Sequence, residues 1–263
     1  MRSADPRLLA RWGITIETPL AETELASLFK VVRRDGTRAV LKLADPHMEG
    51  LHEAEGLRFW RGSPTVRLFE HDPERHAMLI EACEPGTTLR ELPESEQDDV
   101  IASLMRQLWS RTDGAWFDPY GFRHLSEMLA HWSAERLKQP GADSELTREG
   151  LRLFEEMSRP FPWMESLLAT DLHAGNVLRA ERKPWLVIDP KPFVGDRAYD
   201  ATQHLLNCRD RLRADSDGTI ERFSALLDVS PLRVRSWLFA RVAAEPRDNW
   251  DDEWMDLANA LKP

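Results

Sequence analysis

The stretch LLATDLHAGNVLRAERKPWLVIDPKPF, Leu167 to Phe193, places Asp171, Asn176 and Asp189 in a mostly apolar setting. Two short β-rich runs, Asn176–Arg179 and Pro184–Asp189, are linked by the polar AERK, which can turn between them. Paired as a hairpin, they bring Asn176 and Asp189 to one end, with Asp171 in the loop just before. Three oxygen-bearing side chains then converge at one hairpin mouth. Hard oxygen donors suit magnesium, which takes one or two protein ligands and completes its shell with substrate phosphates. A further carboxylate beside such a metal is placed to accept a proton from an attacking hydroxyl. Singly, each residue has a plain structural role as a turn cap, loop holder or strand end. The spacing D-x-x-x-x-N, followed by an apolar strand ending in Asp, favours a site.

Lys42 points the same way. It stands in AVLKLAD, an otherwise apolar strand, and a lysine facing a core is costly unless paired. The helix that follows offers Glu53 and Glu55 as counter-charges. Glu53 is preferred, because the phase of Leu57 and Trp60 puts a packed face one or two positions away; phase alone leaves the choice open.

Outward from these residues, the chain divides by pattern. ASLFKVVRRDGTRAVLKL has two apolar runs joined by Asp35-Gly36, a hairpin signal. TVRLFEHD and HAMLIEACEPG read as two more strands, and MEGLHEAEGLRFWRG between the pairs reads as a helix ended by Gly62. From about residue 94 the period becomes helical, as in SEQDDVIASLMRQLW, HLSEMLAHWSAERL and SELTREGLRLFEEM. More helices are expected near 198–209, 217–228, 231–244 and 250–261. The expectation is α+β: a strand-rich lobe over 1–83, a helical lobe over 84–263, and a ligand cleft between them.

Bulk composition narrows the function. The chain has 263 residues, 42% of them hydrophobic, enough for a substantial core. Its net charge of −10 disfavours nucleic acid and anionic membranes as partners and suits a cationic small molecule. Cys83 and Cys208 form neither a metal motif nor a disulfide framework. MRSADPRLLARWG lacks a signal-peptide core, and no run approaches a membrane span. A cytoplasmic protein is expected.

At ATDLHAGNVL, WLVIDPKPFVGDRAYDATQHL, RAVLKLAD, HEAEGLRFWRG and AMLIEACEPGTTL, in that fold's order along the chain, the sequence resembles the aminoglycoside phosphotransferase family of the protein-kinase-like fold. IDPK…VGDRAYD is most similar to its streptomycin 6-kinase and hydroxyurea-resistance kinase branch. The likeness spans about residues 25–210, and more weakly the C-terminal helices. It implies a bilobal fold with an antiparallel sheet in the N-lobe. It also implies ATP as co-substrate, Mg2+ as cofactor, and roles for particular residues. Lys42 would contact the α- and β-phosphates, with Glu53 orienting it. Asp171 would be the catalytic base or a hydroxyl-orienting carboxylate, and Asn176 and Asp189 would hold magnesium. Ile80–Cys83 would form the interlobe hinge, where backbone groups of Glu81 and Cys83 meet adenine. Asp200 would buttress the catalytic loop through backbone amides, although a helix N-terminal acid reads equally well. Lys191 could approach phosphate or substrate, but a solvated surface lysine is the favoured reading.

Two departures stand out. The family's histidine two residues before the catalytic Asp is Ala169 here, with His173 a partial substitute at best. The glycine-rich phosphate loop is also missing; ETPLAETELASLF takes its place. The expected function is ATP-dependent phosphorylation of a hydroxyl on a small molecule, with aminoglycosides such as streptomycin among the acceptor candidates. The run DNWDDEWMD, Asp248 to Asp256, offers acidic and aromatic groups for a polycationic acceptor, or else a solvated helix face with two core tryptophans. The rivals are a metabolic small-molecule kinase, a non-catalytic nucleotide-binding scaffold motivated by Ala169, and a metal-dependent hydrolase. The hydrolase has no His-rich ligand set and leaves Lys42 unexplained.

Overall fold

The computed structural model describes residues 2–110, 121–160, 165–247 and 252–263. Contacts divide the chain into two compact units. Met1–Leu89 joins Asn176–Lys191 in the first, and Arg90–Gly175 joins Pro192–Pro263 in the second. The hairpin segment 176–191, assigned by sequence to 84–263, thus groups with the N-terminal residues.

In the first unit α1 (Pro6–Trp12) is capped by Asp5, has proline at its first position and ends at Gly13 in the left-handed region. Five strands follow: β1 (Ile14–Glu22), β2 (Ala26–Arg33), β3 (Arg38–Ala44), β4 (Leu68–Asp72) and β5 (Ala77–Glu81). They form one antiparallel sheet in the order β1-β2-β3-β5-β4. Period-two alternation sorts β3 between the faces. Ala39, Leu41 and Leu43 join Phe29, Val31 and Leu79 in one core layer. Val40 joins Leu57, Met78 and Ile80 in the other. Leu57 lies on α2 (Glu53–Trp60), so Lys42, in phase with Val40, takes the helix side of the sheet. Strand β6 (Pro85–Thr88) pairs with Val177–Ala180, which pairs with Trp185–Val187. Ala180 and Leu186 complete the helix-side core.

The second unit is helical: α3 (Glu94–Ser110), α4 (Leu125–Arg136), α5 (Glu145–Met157), α6 (Arg197–Asn207), α7 (Arg209–Ala214), α8 (Ser216–Leu227), α9 (Pro231–Ala244) and α10 (Asp252–Leu261). A two-stranded ribbon pairs Glu165–Leu168 with Phe193–Asp196. Helix α9 is buried almost all round from Trp237 to Ala244, as suits a helix at the centre of a bundle. Gly150 of α5 lets it approach closely: a Cβ there would come within 2.9 Å of the Ala243 side chain.

The expected strands and helices recur, with additions. α1, β1 and β6 were not read from the sequence. β1 is an edge strand with only Ile14 buried and Pro19 inside it, so it shows no alternation. The short ribbon strands and α7 were also missed. Of the helix expected at 250–261, residues 250 and 251 lie outside the described residues.

Candidate active site

The first unit gathers four charged side chains. Lys42 Nζ lies 2.6 Å from Glu53 Oε2 and 2.6 Å from Asp189 Oδ1. Lys191 Nζ lies 2.6 Å from that same Asp189 oxygen. The geometry selects Glu53 over Glu55, which turns instead to Arg58 at 3.1 Å. Lys191 is 9% exposed, so it is not the solvated surface lysine the sequence favours. Burial works against the Lys42 charge, but Glu53 and Asp189 outweigh it and raise the ammonium's pKa. Burial likewise pushes the Asp189 carboxyl up, yet Lys42 and Lys191 hold it down at about 2. Glu53 Oε1 is buried with no hydrogen-bond partner. A buried quartet of this kind is weak evidence for stability, because apolar replacement is often neutral or better. Perturbed, desolvated charges of this kind cluster at functional sites.

The hairpin sets Asp189 in place. Val177 faces Val187, and the Ile188 N–H donates to Asn176 O at 2.9 Å, so Asn176 and Asp189 stand at the same end. Asp189 adopts φ +50°, a conformation that aspartate tolerates better than most residues. Arg182, in the hairpin turn, forks onto Glu81 at 2.7 and 2.8 Å and donates to Gly62 O and Thr65 O. The Glu81 carboxylate is therefore engaged inside the unit, and its N–H donates to Arg67 O at 2.9 Å. Cys83 follows two residues on, its thiol pushed up to about 12 by burial. Neither Arg182 nor its contacts could be foreseen, since their partners lie 101 to 120 residues away.

In the second unit Asp200, on the first turn of α6 and fully buried, holds the loop that carries Asp171. Its Oδ1 accepts the Thr170 N–H at 2.8 Å, and its Oδ2 accepts the Ala169 N–H at 3.2 Å and Trp109 Nε1–H at 2.9 Å. Burial nevertheless pushes its carboxyl up to about 6. The helix cap is Asp196, whose side chain accepts the Ala198 N–H. Thr170 sits at φ +46°, and the Asp171 N–H turns back to Ala169 O at 2.6 Å. The Ala169 side chain is wholly buried. His173 Nε2 stands 3.9 Å from Asp171 Oδ1, beyond hydrogen-bond reach.

Asp171 Oδ1 instead accepts from Gln203 Nε2 at 2.8 Å. Gln203 Oε1 accepts from Arg241 at 2.8 Å, and Arg241 is held by Thr202 and Glu245. A guanidinium only donates, so it fixes the amide with its NH2 toward the carboxylate. Gln203 and Arg241 were missed in the sequence. The one available cue is that Gln203 lies three residues beyond Asp200, one turn along α6.

Part of the C-terminal acidic and aromatic run, residues 248–251, lies outside the described residues. In the described part Glu253 pairs with Arg209 at 3.4 Å and Arg213 at 3.3 Å. The Arg247 guanidinium lies 3.7 Å from the Trp254 ring centroid. No described helix is long and apolar enough to cross a membrane. Among the described residues no cluster of three or more His, Cys, Asp or Glu could cage a metal.

Residues 11–251 match the family described as aminoglycoside/hydroxyurea antibiotic resistance kinase. The chain is 35% identical to a streptomycin 6-kinase of Streptomyces glaucescens, covering 97% of this chain and 84% of that one. It is 36% identical to a hydroxyurea phosphotransferase of Kitasatospora aureofaciens, covering 89% and 68%. The crystal structure of aminoglycoside phosphotransferase APH(4)-Ia superposes with a TM-score of 0.65 at 16% identity, covering 97% and 93%, which shows a shared fold. A choline kinase of Streptococcus pneumoniae superposes equally well, at 12% identity. The expected protein-kinase-like fold is therefore present, and the chain is a small-molecule phosphotransferase belonging to the aminoglycoside/hydroxyurea antibiotic resistance kinase family.

Proposed function

We propose that the protein transfers the γ-phosphoryl group of ATP to a hydroxyl of a small, basic acceptor of the streptomycin type. The observation that carries this reading is Lys42 Nζ, held at 2.6 Å between Glu53 and Asp189. A lysine so fixed is positioned as a point charge for nucleotide phosphates. Residues 1–83 then supply the nucleotide contacts, with adenine along the backbone of Glu81 and Cys83. Residues 84–263 supply the catalytic loop, the metal ligands and the acceptor site.

Asn176 and Asp189, an amide and a carboxylate at one hairpin end, fit magnesium, which keeps several waters and binds through few protein oxygens. When bound, the ion neutralises charge on the β- and γ-phosphates. Asp171, oriented by Gln203, accepts the proton of the acceptor hydroxyl. The hydroxyl oxygen bonds to the γ-phosphorus, the β–γ bridging bond breaks, and ADP leaves. Asp200 fixes the backbone on which Asp171 stands. Two loop amides, those of Ala169 and Thr170, are held in this way without a histidine, which supports the reading despite Ala169. The net charge of −10 suits a cationic acceptor, and the family's named members act on such compounds or on hydroxyurea. A cytoplasmic location, where ATP is made, goes with this reading.

The test is ADP release from Mg-ATP with the purified chain, across an acceptor panel led by streptomycin and including hydroxyurea. Acceptor-dependent release is expected. Asp171→Asn should lower turnover by about 10²- to 10⁴-fold and leave ATP affinity nearly intact. Full turnover in that variant would remove Asp171 from its role.

A further inference from the structure

A glycine-rich phosphate loop works by presenting successive backbone N–H groups and letting phosphate come close to the chain. The β1–β2 connection of this protein cannot do so. It is Thr23–Leu25, with no glycine between Ile14 and Arg33. The Thr23 and Ala26 N–H groups are used within the turn, donating to Ala26 O at 2.8 Å and to Thr23 Oγ1 at 3.0 Å. Glu22 and Glu24 add negative charge there. The phosphate charge that such a loop would meet then falls to the metal and to cationic side chains elsewhere in the unit.

Lys42 is one such cation and Lys191 is a second. Both ammonium groups contact the same oxygen, Asp189 Oδ1, at 2.6 Å. Two cations on one oxygen repel each other, and Glu53 offsets this for Lys42. Lys191 lies in Asp-Pro-Lys-Pro, where the flanking prolines restrict the backbone. Its side chain is only 11% exposed, so little rotamer freedom remains to be lost on binding.

We infer that Lys191 is a second phosphate-binding lysine, exchanging Asp189 Oδ1 for a phosphate oxygen of the bound nucleoside triphosphate. This inference rests on the kinase reading above. The two cations together take over the neutralisation that the Thr23–Leu25 turn does not provide.

The experiment is calorimetric titration of the full chain with adenosine, AMP, ADP and ATP, each with and without Mg2+. It compares wild type with Lys191→Met, Lys191→Gln, Lys191→Arg and, as a control, Lys42→Met. Lys191→Met should weaken Mg-ATP binding about tenfold or more, the cost of roughly one lost charge-assisted contact, and leave adenosine unchanged. Lys191→Arg should restore part of the loss. If Lys191→Met fails to fold, Lys191→Gln carries the same comparison. An unchanged ratio of ATP to adenosine affinity, with Lys42→Met still weakened, would overturn the inference alone. Tighter Mg-ATP binding in Lys191→Met would also overturn it, because Lys191 would then only compete with the metal for Asp189. A wild-type chain that binds no Mg-ATP would overturn the kinase reading as well.

Discussion

Asp189 and Asp200 stand eleven residues apart and solve the same problem in opposite ways. Each is an acid removed from water. Asp189, in the first unit, is matched by two ammonium groups and stays ionised down to about pH 2. Asp200, in the second, is matched only by neutral N–H groups from Ala169, Thr170 and Trp109, and burial lifts it to about 6. A phosphate can draw ammonium groups off Asp189 and a metal can displace them, whereas the N–H donors around Asp200 are fixed in the fold. On the proposed function, the contrast separates an acid that exchanges partners from one that holds a loop.

The largest effect should come from breaking the second arrangement. Asp200→Ala removes the acceptor shared by three N–H donors and should cost about 4 kcal/mol of unfolding free energy, read by urea denaturation. A loss under about 1 kcal/mol would mean that Asp200 does not hold the loop.

Next comes pH. The folded chain keeps the Asp200 proton to a higher pH than the unfolded chain, in which an aspartate titrates near 3.8. The stability associated with the protonated form is therefore complete below about pH 4 and lost as pH rises through 6. The shift corresponds to about 3 kcal/mol. Subtracting the profile of Asp200→Asn from that of wild type should isolate this fall between pH 4 and 6. A flat difference would contradict it.

The smallest effect concerns Asp171. Gln203→Met removes the amide donor while keeping the side-chain length, so turnover should drop about tenfold. The KM for ATP should hold. Unchanged turnover would reduce Gln203 to packing.

Much of this contrast was legible in the sequence, for identifiable reasons. The hairpin around Asn176 and Asp189 is local, with a short polar turn between β-rich runs. Lys42 announces itself as a charge in an apolar strand, and its partner lies one element away. Asp200 was legible as an acid near a helix start, but the choice between cap and loop support needed the loop's own path. Lys191 looked like a surface lysine, because nothing in Asp-Pro-Lys-Pro reports burial. Gln203, Arg241 and Arg182 act across 32 to 120 residues and belong to no short pattern. Edge strand β1 was hidden by its exposure, since a strand with one buried residue has no period to detect.

The central claim is phosphoryl transfer to a small hydroxyl compound, and mass spectrometry of the acceptor tests it most directly. Streptomycin incubated with Mg-ATP and the wild-type chain should gain the mass of one phosphoryl group, at an initial rate about 10²- to 10⁴-fold lower with Asp171→Asn. Transfer at the wild-type rate in Asp171→Asn would contradict the assignment of the base. A panel of hydroxyl acceptors left unmodified by a wild-type chain that binds Mg-ATP would contradict the claim itself.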